Sequence, residues 1–343
     1  MTSPPTIESK FLPSKDQLGV IAVGFSGGQC KPGVDAAPTA LIEAGLLVSL
    51  STELGYTLHH DNIVHSYSSH LPASDPPLLT AGAHAPMLKS VAVSNVTKAI
   101  ADQVYDHASQ GRLVLTLGGD HSIAIGTIAG TARAIRERFN GREMAVVWID
   151  AHADINTPES SGSGNIHGMP VSFLTGLSKA PKENPDVFGW IKAENLISVT
   201  KLVYIGLRDV DVGEKKILRE NRIKAFSMHD VDRYGIGRVM EMALEHINCG
   251  PGQAGMPVHL SFDVDALDPQ VAPSTGTPVR GGLTLREGDF ICECIHETGC
   301  LVAMDLVEVN PIADGAGADS AGAKETVRAG CSLVRCALGE SLL

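Results

Sequence analysis

The stretch that organises the chain is MAVVWIDAHADIN, residues 144–156, in which an apolar run ends abruptly in acidic and imidazole side chains. Its first six residues predict a strand. If the backbone stays extended beyond it, Asp150, His152 and Asp154 project to one face, because side chains alternate along a strand. Two carboxylates and an imidazole at one spot would repel or stay unpaired without a cation, which favours a divalent-metal site. A solvated loop whose aspartates cap a helix is the alternative.

Short apolar runs followed by polar residues recur along the whole chain. Strands are predicted over residues 18–23, 56–59, 113–117, 144–149, 202–207, 223–227, 258–262 and 301–309. Helices are predicted over about 39–50, 89–110, 122–138, 169–176 and 239–247, and a surface loop over 66–86. Strands that alternate with helices predict an α/β protein with a parallel sheet, which binds ligands at the carboxyl ends of its strands.

Composition excludes several classes of protein. With 27 basic and 39 acidic residues the net charge is -12, which disfavours a nucleic-acid partner. No apolar run is long enough to span a bilayer, so we expect no membrane partner. Residues 1–17 form a polar tail without a signal-peptide core, and we expect a single domain over 18–343. The seven scattered cysteines indicate reduced thiols in a cytoplasmic protein.

Two further predicted strand ends carry metal-binding residue types. His121 follows the strand 113–117, and Asp263 and Asp265 follow the strand 258–262, two residues apart and therefore on one face. Read alone, His121 is a buried histidine bonded to backbone and the two aspartates are a loop turn. With residues 150–154 they supply four aspartates and two histidines, enough for two divalent ions of balancing charge. Oxygen and imidazole ligands without a thiolate favour Mn²⁺ over zinc.

The motifs GGDHS (118–122), DAHAD (150–154) and SFDVDALDP (261–269) together resemble the ureohydrolase family, binuclear manganese enzymes that hydrolyse guanidino groups. The resemblance runs from about Val20 to Leu338 and implies a three-layer α/β/α sandwich on a mostly parallel eight-stranded sheet. It implies two Mn²⁺ per subunit. By position, the first would be held by His121, Asp150, Asp154 and Asp263, and the second by Asp150, His152, Asp263 and Asp265.

Two loops are similar to the arginase subgroup of this family. In residues 156–168 the resemblance implies that Asn156 and Ser163 contact a substrate α-carboxylate, although composition alone indicates a flexible polar loop. In LRDVDVGE, residues 207–214, Asp211 would meet the α-amino group with support from Glu214, and Asp209 joins the substrate-binding set. Without the resemblance, this second loop is the acidic start of a helix.

The remaining site residues come from the resemblance as well. His167 would shuttle protons at the site mouth, which suits the titration range of imidazole, and is otherwise a loop histidine. Glu308 would pair with the guanidinium group, with Thr277 nearby, and is otherwise a solvated strand end. A carboxylate suits that role because its two oxygens match the planar guanidinium donors.

The resemblance implies hydrolysis of L-arginine to L-ornithine and urea by a hydroxide that bridges the two manganese ions, in arginine metabolism and the urea cycle. Asp154 would orient the nucleophile and relay a proton to the leaving amine, together with His167. Two alternatives stay open: hydrolysis of agmatine or guanidinobutyrate, as in agmatinases and guanidinobutyrases, and a non-catalytic arginine-sensing subunit. A homotrimer is expected, although animal members carry a longer C-terminal tail than a chain that stops at Leu343.

Overall fold

A computed structural model of the chain describes residues 7–313 and 320–341. Its centre is a sheet in which all strands that pair with one another run parallel. Within the described residues the strands are β1 Gln17–Val23, β2 Thr57–His59, β3 Val64–His65, β4 Leu113–Leu117, β5 Ala145–Ile149, β6 Leu202–Leu207, β7 Lys224–Ser227, β8 Val258–Asp263 and β9 Leu301–Val307. Their order across the sheet is β2-β1-β4-β9-β8-β5-β6-β7, and β3 also pairs with β1.

Helices cover both faces of the sheet. The α-helices are α1 Ala37–Glu43, α2 Leu46–Thr52, α3 Ser90–Ser109, α4 Ala124–Arg138, α5 Pro170–Leu174, α6 Val212–Glu220, α7 Met228–His246, α8 Leu285–Glu297 and α9 Ala321–Ala337. Helices α3, α4 and α5 pack together, and α8 packs with α7 and α9, which in turn meets α1 and α2. The three layers follow from the parallel order of the strands, because each connection must carry the chain back across a face of the sheet.

The core lies on both sides of the central strands. Every residue of β4, β5, β6, β8 and β9 is buried, as expected for parallel strands covered on both faces. In β4 the residues alternate between two hydrophobic clusters, so that Val114 belongs to one and Leu115 to the other. Burial on both faces of the sheet explains why these strands have continuous apolar sequences.

The predicted α/β fold with a mostly parallel sheet is confirmed. All eight predicted strands are present, with boundaries that move by one or two residues. The two-residue strand β3 was not predicted, because Val64–His65 is too short to form a pattern.

Two predicted helices are wrong in their bounds. The helix predicted over 39–50 is two short helices, α1 and α2, because Gly45 between them adopts a left-handed φ of 89°. The helix predicted over 239–247 begins much earlier, at Met228, where Ser227 and Asp230 form a capping box. A non-helical Gly235 inside α7 hides this start from the apolar periodicity.

The assumption that the backbone stays extended beyond Asp150 is also wrong. Strand β5 ends at Ile149, and Asp154 has a left-handed φ of 49°. The side chains of residues 150–154 therefore converge through a turn and not through strand alternation.

The described part of the N-terminal segment packs on the body of the protein. Phe11 is buried, with its ring edge-to-face on Phe139 at 5.7 Å. The backbone N–H of Lys10 donates to the carbonyl of Gly299. The division between a tail and a domain at residue 17 stays a prediction. In the described residues no single helix has the length and apolarity to cross a membrane, while Val34–Glu43 and Leu46–Thr52, taken together as a bent pair, meet that test by composition.

Candidate metal centre

Four adjacent strands bring the predicted site residues together. In the sheet order β4-β9-β8-β5, each strand ends at the same edge, and the candidate residues follow directly after these ends. The turn after β4 passes very close to the backbone of Phe25. A side chain on Gly119 would lie 1.8 Å from the carbonyl oxygen of Phe25, so only glycine fits there. The Gly119 carbonyl accepts the N–H of Glu308, which ties the ends of β4 and β9 together.

The first cluster surrounds His121. Its Nδ1 lies 3.1 Å from Oδ2 of Asp150, 3.3 Å from Oδ2 of Asp154 and 3.2 Å from Oδ2 of Asp263. All four side chains are buried. The other ring nitrogen, Nε2, contacts Oγ of Ser261 at 2.9 Å. That contact leaves Nδ1 facing the carboxylates with the geometry of a ligand.

The second cluster surrounds His152 and shares Asp150 with the first. Nδ1 of His152 lies 3.4 Å from Oδ1 of Asp150 and 3.1 Å from Oδ2 of Asp265. Asp263 is next to this group, because its Oδ1 accepts the N–H of Asp265 at 2.7 Å. Two groups, His121–Asp150–Asp263 and Asp150–His152–Asp265, each have their ligand atoms within 4.8 Å of one another.

The aromatic side chain of Trp148 holds Asp150, the residue that the two clusters share. The ring of Trp148 stacks on His121, with centroids 4.0 Å apart and planes 10° apart. The indole Nε1 donates to Oδ2 of Asp150 at 2.9 Å. The sequence placed Trp148 in a strand and gave no indication of this role.

The pKa values of the clustered aspartates indicate whether these residues fit divalent cations. Burial, with the charges of Asp265 and Asp150, raises the pKa of Asp263 well above its ordinary value. Burial and the charge of Asp150 likewise raise the pKa of Asp154 to about 6. Burial would also raise the pKa of Asp150, but hydrogen bonds with His121 and His152 outweigh it and lower that pKa. Bound cations would offset the repulsion between these crowded, buried carboxylates. The oxygen and imidazole donors here therefore fit two divalent ions.

Glu308 lies beside the first cluster and is buried. Its backbone has a left-handed φ of 62°, a strained conformation typical of functional sites. Oε1 accepts the backbone N–H of His121 at 2.9 Å and contacts Nδ1 of His167 at 3.3 Å. Oε2 accepts Nε2 of Gln29 at 2.8 Å. Glu308 and His167 therefore lie together, while their roles as guanidinium partner and proton shuttle stay predictions.

The two loops predicted to bind substrate also meet. Nδ2 of Asn156 donates to Oδ2 of Asp211 at 2.9 Å. Glu214 joins them through its two oxygens, which accept the N–H of Ile155 at 3.1 Å and of Asp211 at 3.0 Å. Asp211 and Glu214 form the capping box of α6, so this loop is the start of a helix, and its role in substrate binding stays a prediction.

The other predicted substrate residues lie around this centre. Asp209 Oδ2 is 3.8 Å from Nε2 of His152. The Thr277 hydroxyl donates to Oδ2 of Asp265 at 2.9 Å. Ser163 is exposed on its loop, and its Oγ accepts the N–H of Asn165. Ser163 is thus further into solvent than Asn156.

Two further residues of the site were missed by the sequence analysis. Gln29, in the glycine-rich turn after β1, holds Oε2 of Glu308. The buried Asp120 accepts the N–H groups of Gly28 and Ser122 at 2.9 Å each and so anchors that turn. The only sequence signal for these contacts is the glycine-rich stretch GFSGG, residues 24–28, after the first strand. By itself this stretch indicates a turn and not which residues it contacts.

Comparisons with known proteins agree with this geometry. The family model described as Arginase family matches residues 16–339. The arginase of Neurospora crassa is 71% identical over 343 residues, which cover 100% of this chain and 91% of that protein. The solved cold-adapted arginase of the yeast Glaciozyma antarctica is similar at a TM-score of 0.73 and 44% identity, over 99% of this chain and 100% of that chain. The solved arginase of Bacillus cereus is similar at a TM-score of 0.78 and 34% identity, over 96% of this chain and 100% of that chain.

Proposed function

The chain belongs to the arginase family, and we propose that it hydrolyses the guanidino group of L-arginine to give L-ornithine and urea. The observation that carries this proposal is the convergence of four aspartates and two histidines next to a buried glutamate that can pair with a guanidinium group. The proposed metal donors lie beside Glu308, where the bond to be broken would be held.

Metal dependence is a property of the family, and we infer two Mn²⁺ per subunit for this chain. His121, Asp150, Asp154 and Asp263 would hold one ion, and Asp150, His152, Asp263 and Asp265 the other. Four carboxylates and two divalent ions balance in charge, which supports this count. When bound, such cations supply Lewis acidity, which lowers the pKa of water and makes a hydroxide nucleophile available near neutral pH.

The substrate's amino-acid end would be held by the two meeting loops. We assign the α-carboxylate to Asn156 and Ser163, and the α-amino group to Asp211. Glu214 supports Asp211 through the backbone, since it accepts the Asp211 N–H. Asp209 and Thr277 complete the set as neighbours of His152 and Asp265. A substrate without an α-carboxylate, such as agmatine, would leave the Asn156 and Ser163 donors unpaired.

The guanidinium end would pair with Glu308. Hydrogen bonds from Gln29 and from the His121 backbone fix both Glu308 oxygens in place before substrate arrives. A fixed carboxylate can accept two parallel N–H donors from a planar guanidinium and so orient its carbon toward the metal donors. The preorganised position explains why a strained φ is retained at this residue.

Proton transfer completes the reaction. Asp154, among the metal donors, would accept a hydrogen bond from the attacking water and fix its orientation toward the guanidinium carbon. The proton released in this attack passes through Asp154, with His167 at the site mouth, to the nitrogen that leaves as ornithine. The remaining fragment leaves as urea, so all atoms of arginine and water appear in the two products.

A product assay tests the proposal. Purified protein treated with Mn²⁺ is incubated with L-arginine, agmatine or guanidinobutyrate, and urea and the amine product are measured. We expect ornithine and urea in equal amounts from L-arginine, and much slower release from the other two. Faster turnover of agmatine or guanidinobutyrate would instead identify another ureohydrolase activity. Arginine binding without urea would identify a non-catalytic sensing subunit.

We also propose a homotrimer that acts in the cytoplasm, in arginine metabolism and the urea cycle. The basis is the resemblance of the chain to the arginase family. Light scattering coupled to size-exclusion chromatography tests the trimer, which predicts about three times the 36.0 kDa chain mass. A single species at the chain mass would reject it.

A further inference from the structure

A small open cavity lies at the opposite edge of the sheet from the metal centre. It has a volume of about 410 Å³ and is bounded by the last turns of α6 and the start of the edge strand β7. Four of its lining side chains are cationic: Lys215, Arg219, Arg222 and Lys224. The fifth polar lining residue is His246, and none of the described lining residues is acidic. Such a cluster stands out on a chain whose net charge is -12.

No carboxylate among the described residues pairs with these four cations. In the part of the chain that the structure describes, none of them has an ion-pair partner, and Lys224 instead lies 4.7 Å above the ring of Phe226. The adjacent Lys216, which does not line the cavity, differs in this respect, because its Nζ lies 3.8 Å from Glu220. Four unpaired positive charges around one cavity create a local field that attracts anions.

Backbone strain at Arg222 is an independent observation. Arg222 lies two residues beyond the end of helix α6 with a left-handed φ of 52°, and the N–H of Ile223 returns to the carbonyl of Leu218. This position of a helix end is usually glycine, since other residues are strained there. Arginine is uncommon in this conformation, and the Arg222 side chain lines the cavity.

His246 adds a polar atom at the wall of the cavity. Its Nε2 is enclosed and has no hydrogen-bond partner among the described residues. Burial, with the charges of Lys224 and Lys201, lowers the pKa of His246, so its ring is neutral at pH 7. A neutral imidazole can donate or accept one hydrogen bond at this nitrogen.

We propose that this cavity binds a small phosphate-bearing anion through Lys215, Arg219, Arg222 and Lys224. Two planar guanidinium groups and two ammonium groups supply charge-assisted hydrogen bonds to phosphate oxygens. Lysines on an edge strand also discourage edge-to-edge aggregation, and Lys224 alone would serve that purpose. That explanation does not cover the cations on α6, nor the strain at Arg222.

Calorimetric titration of the manganese-loaded full chain tests the proposal, with inorganic phosphate and fructose 1,6-bisphosphate as probes. We expect saturable binding of one anion per subunit that weakens as salt is raised. Arg222→Gly should weaken the affinity about tenfold or more, because it removes a charged hydrogen-bond donor. The same variant should raise the melting temperature, because glycine relieves the strained backbone, so lost binding cannot be attributed to unfolding.

Lys216→Gln is the matched control, since it removes one positive charge from the same helix without altering the cavity lining. It should leave the affinity unchanged. Three outcomes would overturn the proposal: no saturable heat with either probe, equal affinity for wild type and Arg222→Gly, or an equal loss in Lys216→Gln, which would indicate only diffuse attraction. None of these outcomes depends on hydrolysis of arginine.

Discussion

Nδ1 of His167 lies 3.3 Å from Oε1 of Glu308, and this pair joins the mouth of the site to its buried centre. Burial of His167 lowers the pKa of its ring, but the hydrogen bond and charge of Glu308 outweigh burial, and the pKa rises to about 9. The charges of Asp154 and Asp120 act in the same direction. In the absence of metal, the ring is therefore a cation at neutral pH.

This relationship predicts a titration. In metal-free protein the ring proton resonances of His167, assigned by their loss in His167→Asn, should titrate near pH 9 by NMR. In Glu308→Gln the pKa should fall by about one unit or more, because the amide keeps the geometry but removes the charge. A midpoint near 6.5 in the wild type, or no change in the variant, would contradict the assigned cause.

The raised pKa of His167 makes the stability of the metal-free protein depend on pH. The folded-state pKa of His167 is raised above its ordinary value of 6.5, so the folded state binds the proton more tightly than the unfolded chain. The stabilisation is fully present below pH 6.5 and is lost as pH rises through about 9. Urea denaturation of metal-free wild type and His167→Asn should therefore show a difference that shrinks over this range.

Asp154→Ala tests the role of a carboxylate among the metal donors. We expect urea release to be abolished, or to fall at least about a hundredfold, because the water loses its hydrogen-bond acceptor and the leaving amine its proton relay. Metal content and circular dichroism establish that the variant is folded and loaded. Near-normal turnover in such a preparation would reject the proposed chemistry.

Asn156→Ala tests recognition of the amino-acid end. The substitution removes the donor that we propose for the α-carboxylate and also the hydrogen bond to Asp211, so KM for L-arginine should rise about tenfold or more. KM for argininamide, which lacks the carboxylate charge, should change much less. Glu159→Gln, an exposed change in the same loop, is the control and should leave both values unaltered. Equal effects on both substrates would place Asn156 elsewhere in the reaction.

Much of the fold could be predicted from the sequence because buried parallel strands are continuous apolar runs. Residues 113–117 and 202–207 match the structure at both ends for this reason. The clustering of residues 121, 150–154 and 263–265 was also predictable, because the carboxyl ends of parallel strands meet at one edge. The pattern of apolar runs that end in acidic and imidazole residues therefore predicts where the site lies as well as which residue types form it.

Contacts between distant segments could not be predicted. Gln29 reaches Glu308 across 279 positions, and nothing in a glycine-rich turn indicates that partner. The left-handed backbone at Asp154 could not be predicted either, because short apolar and polar patterns say nothing about the sign of φ. The break at Gly45 was visible as a glycine, but apolar periodicity continues across it and conceals two helices.

A buried hydrogen-bonded pair beneath the site gives a stability prediction. Nε2 of His259 lies 2.8 Å from Oδ2 of Asp305, which also accepts the Thr127 hydroxyl, and both side chains of the pair are buried. Asp305→Ala leaves His259 and Thr127 without their acceptor and should lower the free energy of unfolding by about 3 kcal/mol.

Urea denaturation measures this loss, with Asp102→Ala as the control. That variant breaks the exposed Lys98–Asp102 ion pair and should change the free energy of unfolding by less than about 1 kcal/mol. Comparable losses of unfolding free energy in the two variants would show that the buried pair stabilises the fold no more than an exposed ion pair does.

The most direct test of the central claim is to follow ornithine formation from L-arginine while metal-free protein is titrated with Mn²⁺. We predict that activity rises with bound metal and reaches its plateau at two ions per chain, with urea released in equal amount. A plateau with no ornithine, or full activity without bound metal, would contradict the account.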